Sequence, residues 1–225
     1  MSGTALIIGA SRGLGLALVG ELLARGWRAV ATVRGSARTP LHDLAARPDG
    51  LTVETVDMTN DAEIETLHDR LEGRTFDLFF VNGAITRGDV PIGEVSRESF
   101  VEVLVTNAYA PMRLVERFHD LVPATGTIGV MSSRQGSISL NTNGGHEVYR
   151  ASKSALNQLM RGYAARHSPR ALLLINPGHV RTELGGPGAK LAMEESIPGV
   201  VDTITAHAGE PGLQFLDYRN EVVPW

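Results

Sequence analysis

The stretch Ile7-Ile8-Gly9-Ala10-Ser11-Arg12-Gly13-Leu14-Gly15 decides how the rest of the chain is read. It follows a short apolar run, residues 5–8, with the length and composition of a buried strand, and opens a segment, 13–25, with helical periodicity. Three glycines between a strand and a helix let the backbone turn tightly and approach a pyrophosphate. The free N–H groups and the positive end of the helix dipole then hold its charge. Gly9, Ser11, Arg12, Gly13, Leu14 and Gly15 are therefore the candidate cradle for a dinucleotide. The spacing is G-x-x-x-G-x-G rather than the commoner G-x-G-x-x-G, and taken alone such a run also serves as a plain turn.

Outward from this stretch, short apolar runs alternate with longer amphipathic segments. The pattern predicts strands at 28–33, 51–56, 76–81, 126–131, 171–175 and 213–216, and helices over 41–46, 61–71, 97–121, 146–165 and 193–207. The strand runs are almost continuously apolar, as expected when helices cover both faces of a sheet. The expected class is α/β: a single-domain Rossmann fold over residues 1–225, doubly wound, with a parallel sheet of about seven strands and helices on both faces. No Pro/Ser-rich linker divides the chain, and a substrate loop at about 179–193 is expected within the same domain.

Composition narrows the function classes. Hydrophobic residues make up 43% and charged residues 20%, close to a soluble globular average, so one well-buried core is expected. A formal charge of -4, with both signs interspersed, argues against a nucleic-acid or anionic-membrane partner and favours a small molecule. The absence of cysteine excludes disulfides, thiolate catalysis and cysteine-ligated metals, and suits a reducing cytoplasm. The first apolar run ends after four residues and no basic region precedes it, so neither a signal peptide nor a membrane span is expected. Histidines and carboxylates are scattered, and no metal is expected.

The second strand ends Ala31-Thr32-Val33-Arg34, where an NAD site usually carries an acidic residue for the adenine ribose hydroxyls. Arg34 instead, with Arg12 from the glycine loop, can pair with a 2'-phosphate, so NADP(H) is expected ahead of NAD(H). The bland alternative is that both arginines are solvated surface residues.

In Tyr149-Arg150-Ala151-Ser152-Lys153 the tyrosine and lysine are four apart, on one face of a helix. An ammonium beside a phenol favours the phenolate, lowering its pKa towards the working pH for proton transfer. Many exposed helices hold such a pair by chance, so other residues must support it. Ser133, after the strand Val130-Met131, falls at the sheet edge where α/β ligands bind and is the better of Ser132 and Ser133 to hold a substrate oxygen. Asn107 lies among Val103, Leu104, Val105 and Ala108, where an amide needs hydrogen-bond partners; mending a helix kink is its other reading. His146 and His179 flank this region, as substrate contacts or solvated loop residues. No G-x-S-x-G elbow is present, which removes a serine hydrolase.

With these residues in order, the chain resembles the short-chain dehydrogenases/reductases over essentially its whole length. Gly9, Gly13 and Gly15 resemble that family's cofactor loop, Asp57 with Met58 its adenine-contacting segment, and Asn82-Gly83-Ala84 its N-A-G segment. Asn107, Ser133, Tyr149 and Lys153 fall where the family carries its catalytic tetrad. Pro177, Gly178, Val180 and Thr182 resemble the segment that closes over nicotinamide. Ser133 and Tyr149 are sixteen residues apart, longer than the family's usual spacing, and the first motif begins Ile8-Gly9 rather than Thr-Gly. The long loop, Gly185-Gly186-Pro187-Gly188 and the end from Asp217 to Trp225 look like the C-factor and sniffer-like carbonyl reductase branch.

The resemblance implies hydride transfer between NADP(H) and the carbonyl or alcohol carbon of a small, moderately apolar substrate. Tyr149 would be the general acid/base and Ser133 would orient the oxygen. Lys153 would also bond the nicotinamide ribose, and Asn107 would hold a water for proton resupply. A homo-oligomer, dimer or tetramer, is likewise implied. The alternative is a nucleotide-binding regulatory protein of the C-factor type.

Overall fold

Seven parallel strands form one sheet in the order β3-β2-β1-β4-β5-β6-β7. They are β1 (Thr4–Ile8), β2 (Arg28–Val33), β3 (Leu51–Thr55), β4 (Leu78–Val81), β5 (Thr127–Met131), β6 (Ala171–Asn176) and β7 (Gly212–Asp217). The computed structural model describes residues 2–46, 50–167 and 169–225. β1 pairs with β2 on one side, Ile7 opposite Ala31, and with β4 on the other, Ile8 opposite Val81. Chain direction across the sheet reverses there, so the carboxyl ends of β1 and β4 form the crevice where α/β folds bind ligands.

Alternation along the strands splits the interior into two layers. Leu6, Ile8, Phe79 and Val81 face one layer, closed by α3 (Asp61–Leu71), α5 (Ala110–Phe118) and α6 (Glu147–Arg166). Ala5, Ile7, Leu78 and Phe80 face the other, closed by α1 (Gly13–Ala24), α2 (Pro40–Ala45) and α7 (Met193–Ala206). A glycine inside β5 fits this packing: a Cβ on Gly129 would lie 2.5 Å from the Phe80 ring, so only a bare backbone leaves that ring room. Among the described residues no helix is long and apolar enough to cross a membrane.

Two expectations change. The single helix expected over 97–121 is α4 (Arg97–Leu104), a π turn over Val105–Tyr109, then α5 and a short 3-10 turn over His119–Leu121. Pro111 explains the break: without an N–H it cannot bond the carbonyl four residues back, at Asn107, and a widened turn absorbs the mismatch. β4 starts at Leu78 rather than at 76, because the Phe76 amide is turned to the carbonyl of Leu121 at 2.9 Å.

Candidate active site

The glycine loop sits at the reversal point and is tied to the strands on either side. Gly9 N donates to Thr32 Oγ1 at 3.0 Å and Ala10 N to the Thr32 carbonyl at 2.8 Å. From the other side, Asn82 Nδ2 donates to the Gly9 carbonyl at 2.9 Å. Gly15 has no room for a side chain: its Cβ would fall 2.2 Å from the Gly9 oxygen and 2.7 Å from Asn82 Nδ2. Gly9 itself is at φ +83 with the Gly83 amide 3.0 Å from its would-be Cβ, so the two loops touch backbone to backbone.

The same loop has the donors and the open space a phosphate needs. Arg12, just before α1, gives no side-chain cap, so the N–H groups of the helix's first turn, Leu14 among them, and the adjacent Ser11 are left to a ligand. A Cβ on Gly13, at φ +57, would meet no atom within 4 Å. Asn82 Oδ1 is buried without a partner among the described residues, and Gly83 and Ala84 continue the same wall. Met58 packs against that wall, its sulfur 2.9 Å from where a Gly83 Cβ would stand. This set fits a dinucleotide phosphate.

Arg34 is exposed beyond β2 and makes no ion pair among the described residues. Burial pushes the Asp57 carboxyl up, but the Thr59 hydroxyl and amide, at 2.7 and 2.9 Å, together with the Arg34 charge, hold it below its ordinary value. Arg12 departs from the picture of two arginines converging on one phosphate. Its guanidinium pairs with Glu183 at 2.7 Å, joining the glycine loop to the 179–193 loop, with both side chains largely in solvent.

α6 carries Tyr149 in its first turn and Lys153 one turn later. Lys153 is 1% exposed; its Nζ donates to the Met131 carbonyl at 2.9 Å and lies 5.9 Å from the centre of the Tyr149 ring. Burial pushes the lysine down to about 7. It pushes the half-buried tyrosine up to about 12, the Ser133 hydroxyl pulling the other way. The lowered phenol pKa expected from the Tyr/Lys spacing is therefore not what the folded chain produces by itself. Loss of solvation dominates both groups, and the ammonium is directed at a carbonyl rather than at the phenol oxygen. At neutral pH the phenol holds its proton.

Neighbouring serines are separated by their partners. Ser132 is buried and donates to Asn157 Oδ1 at 2.7 Å. Ser133 is half-buried, and its hydroxyl accepts from the Gln135 amide at 3.1 Å. Asn107, fully buried in the π turn, accepts from Ile85 N at 2.8 Å and donates to Ile85 O at 2.8 Å and Ser152 Oγ at 3.0 Å. Ser152 in turn donates to the Tyr149 carbonyl at 2.7 Å. Asn107 thus supports the broken helix and joins it to the turn bearing Tyr149.

The segment after β6 is braced from within. Asn176 Oδ1 accepts from Arg134 N at 3.1 Å and Gly178 N at 3.3 Å, and Ser196 Oγ donates to the Pro177 carbonyl at 2.6 Å. Val180 bridges Leu191, and Thr182 Oγ1 accepts from Gly185 N at 2.9 Å, closing the loop on itself. His179 is engaged in the same loop, its Nε2 2.7 Å from the Gly185 carbonyl. Ser152 and Glu183 are functional partners that no sequence signal marks: a serine inside a helix is unremarkable, and Glu183 lies 171 positions from Arg12.

A model of the short chain dehydrogenase family matches residues 3–190. A protein from Burkholderia multivorans, described as a short-chain dehydrogenase/reductase and crystallised with bound NADP, is 54% identical with a TM-score of 0.97, covering 99% of each chain. The carbonyl reductase Sniffer of D. melanogaster is 27% identical with a TM-score of 0.89, covering all of both chains. C-signal of Myxococcus xanthus is 30% identical over 156 residues, 66% of this chain and 92% of that protein.

Proposed function

The chain belongs to the short chain dehydrogenase family, and on that footing we propose that it is an NADP(H)-dependent reductase of small, moderately apolar carbonyl compounds. The observation that carries this reading is the placement of the Tyr149 phenol beside Ser133 and Lys153 at the carboxyl edge of the sheet. The first turn of α1, Gly13 and Asn82 would hold the pyrophosphate; Asp57 and Met58 would face the adenine, and Arg34 a 2'-phosphate. Pro177, Gly178, Val180 and Thr182 would flank the nicotinamide, which when bound supplies or accepts the hydride.

Ser133 donates a hydrogen bond to the carbonyl oxygen and fixes its orientation. Tyr149 gives its proton to that oxygen as negative charge builds there, and a pKa of about 12 keeps the phenol in the donor form throughout the neutral range. Lys153, its Nζ 5.9 Å from the centre of the Tyr149 ring, would place positive charge near the phenolate left behind. Asn107 fixes the turn that presents the tyrosine. The likeness to the NADP-bound Burkholderia protein supports the cofactor, and the likeness to Sniffer the carbonyl substrate.

A panel of ketones, aldehydes and quinones, run with NADPH and NADH in parallel on wild type and Tyr149→Phe, tests the reading. Turnover with NADPH ahead of NADH is expected, falling roughly 10²–10⁴-fold in the phenylalanine variant while NADPH still binds. Near-normal turnover by that variant removes Tyr149 from the chemistry. The similarity to C-signal favours a second reading, a nucleotide-binding regulatory protein; binding of NADPH with no turnover of any compound would move the choice to it.

A further inference from the structure

We propose that Asp89 is a positioning residue for Tyr149, acting through the backbone of His146; the inference rests on the reading of Tyr149 as proton donor. Tyr149 is the third residue of α6, in the turn whose N–H groups lack helical partners and where helices open first. α6 has no side-chain cap to hold that turn. The chain enters it through three successive left-handed residues, Gly144 at φ 67, Gly145 at φ 74 and His146 at φ 48. A histidine in that region is disfavoured by its own Cβ, so something outside the helix must hold it there.

Asp89, in the connection between β4 and α4, is placed to do so. Its Oδ1 accepts from His146 N at 2.5 Å, and its Oδ2 lies 3.8 Å from His146 Nε2. The carboxylate also lies against Gly145, where a Cβ would stand in ordinary contact with both oxygens at 3.4 and 3.5 Å. A second bond runs the other way: Glu147 Oε2, from the helix, accepts from Ile92 N at 2.9 Å. One carboxylate from each segment thus grips the backbone of the other. Arg150 closes the helix side, its Nε donating to the Gly145 carbonyl at 2.8 Å. The excursion from Ser133 to Tyr149 is tied down early, where Ser154 Oγ donates to the Gly136 carbonyl at 3.0 Å and Ser139 Oγ to the Trp225 carbonyl at 2.7 Å, and its return end is pinned by Asp89 just before the tyrosine.

The test uses full-length Asp89→Ala and Asp89→Asn with three readouts: kcat and KM for a carbonyl substrate, NADPH affinity by fluorescence titration, and hydrogen exchange of amides 150–153, which bond back to the carbonyls of 146–149. The alanine variant should lose about tenfold in kcat, the size expected for one charge-assisted hydrogen bond, with NADPH affinity unchanged and faster exchange confined to that turn. Asparagine keeps an acceptor oxygen and should restore most of the kcat. Alanine turnover within twofold of wild type overturns the inference. So does a joint fall of NADPH affinity and thermal midpoint that asparagine shares, which would mean general support. Exchange needs no substrate: if wild type turns nothing over, the functional reading fails, and unchanged protection of 150–153 in the alanine variant still overturns the role of Asp89.

Discussion

Replacing Lys153 by methionine should make the apo protein more stable and catalytically dead. Burial lowers the lysine from 10.5 to about 7, so folding at or below neutral pH forces an unfavourable choice between losing a proton and burying a charge. At ~1.36 kcal/mol for each tenfold in proton affinity, the penalty is roughly 5 kcal/mol. The methionine variant escapes it but leaves the Met131 carbonyl without its 2.9 Å donor, a loss of about 1–2 kcal/mol. A net gain of about 3 kcal/mol remains, or roughly 6–12 °C in Tm for a chain of this size. The pH dependence identifies the cause. Because the folded pKa lies below the unfolded one, the penalty is complete below about pH 7 and fades as pH climbs towards 10.5. Wild-type stability should therefore rise from pH 7 to about 9.5 while the variant's stays nearly flat. Above that window Tyr149 and Tyr163, both raised to about 12 in the folded chain, turn the trend downward. Urea unfolding of both proteins across this range reads the difference directly. A gain that ignores pH, or a wild-type curve that falls between pH 7 and 9, refutes the reasoning.

Three further outcomes follow from the geometry. Gly15→Ala places a methyl 2.2 Å from the Gly9 oxygen, so it should cost about 2–3 kcal/mol and abolish NADPH binding; a thermal scan with a fluorescence titration checks both. Asn107→Ala leaves both polar groups of Ile85 and the Ser152 hydroxyl short of a buried partner and should cost about 3 kcal/mol in urea unfolding, a loss under 1 kcal/mol counting against it. Arg34→Glu should weaken NADPH at least about tenfold while sparing NADH, and equal weakening of both would take the 2'-phosphate away from this residue.

What the sequence revealed was what depends on near neighbours in the chain. The apolar run before Gly9 and the four-residue step from Tyr149 to Lys153 are local patterns, and the sheet and the helix followed from them. The π turn at Val105–Tyr109 was hidden because the apolar periodicity runs through it unbroken, with Pro111 the one local clue. The direction of the Tyr149 shift is not legible in the sequence, because charge pairing is visible in spacing whereas burial is a property of the packed whole. Partners such as Glu183 for Arg12, or Asp89 for His146, lie 171 and 57 positions away, and no pattern in one sequence joins them.

The bond from Asn82 to the Gly9 carbonyl spans 73 positions. A peptide ending after α1 would contain every glycine of the motif and none of the surface they make, since that surface exists only once β4 has docked beside β1. Contacts between such distant residues are slow to form. A dinucleotide would therefore meet a finished sheet rather than guide its assembly, and its presence would be felt as slower unravelling instead of faster collapse.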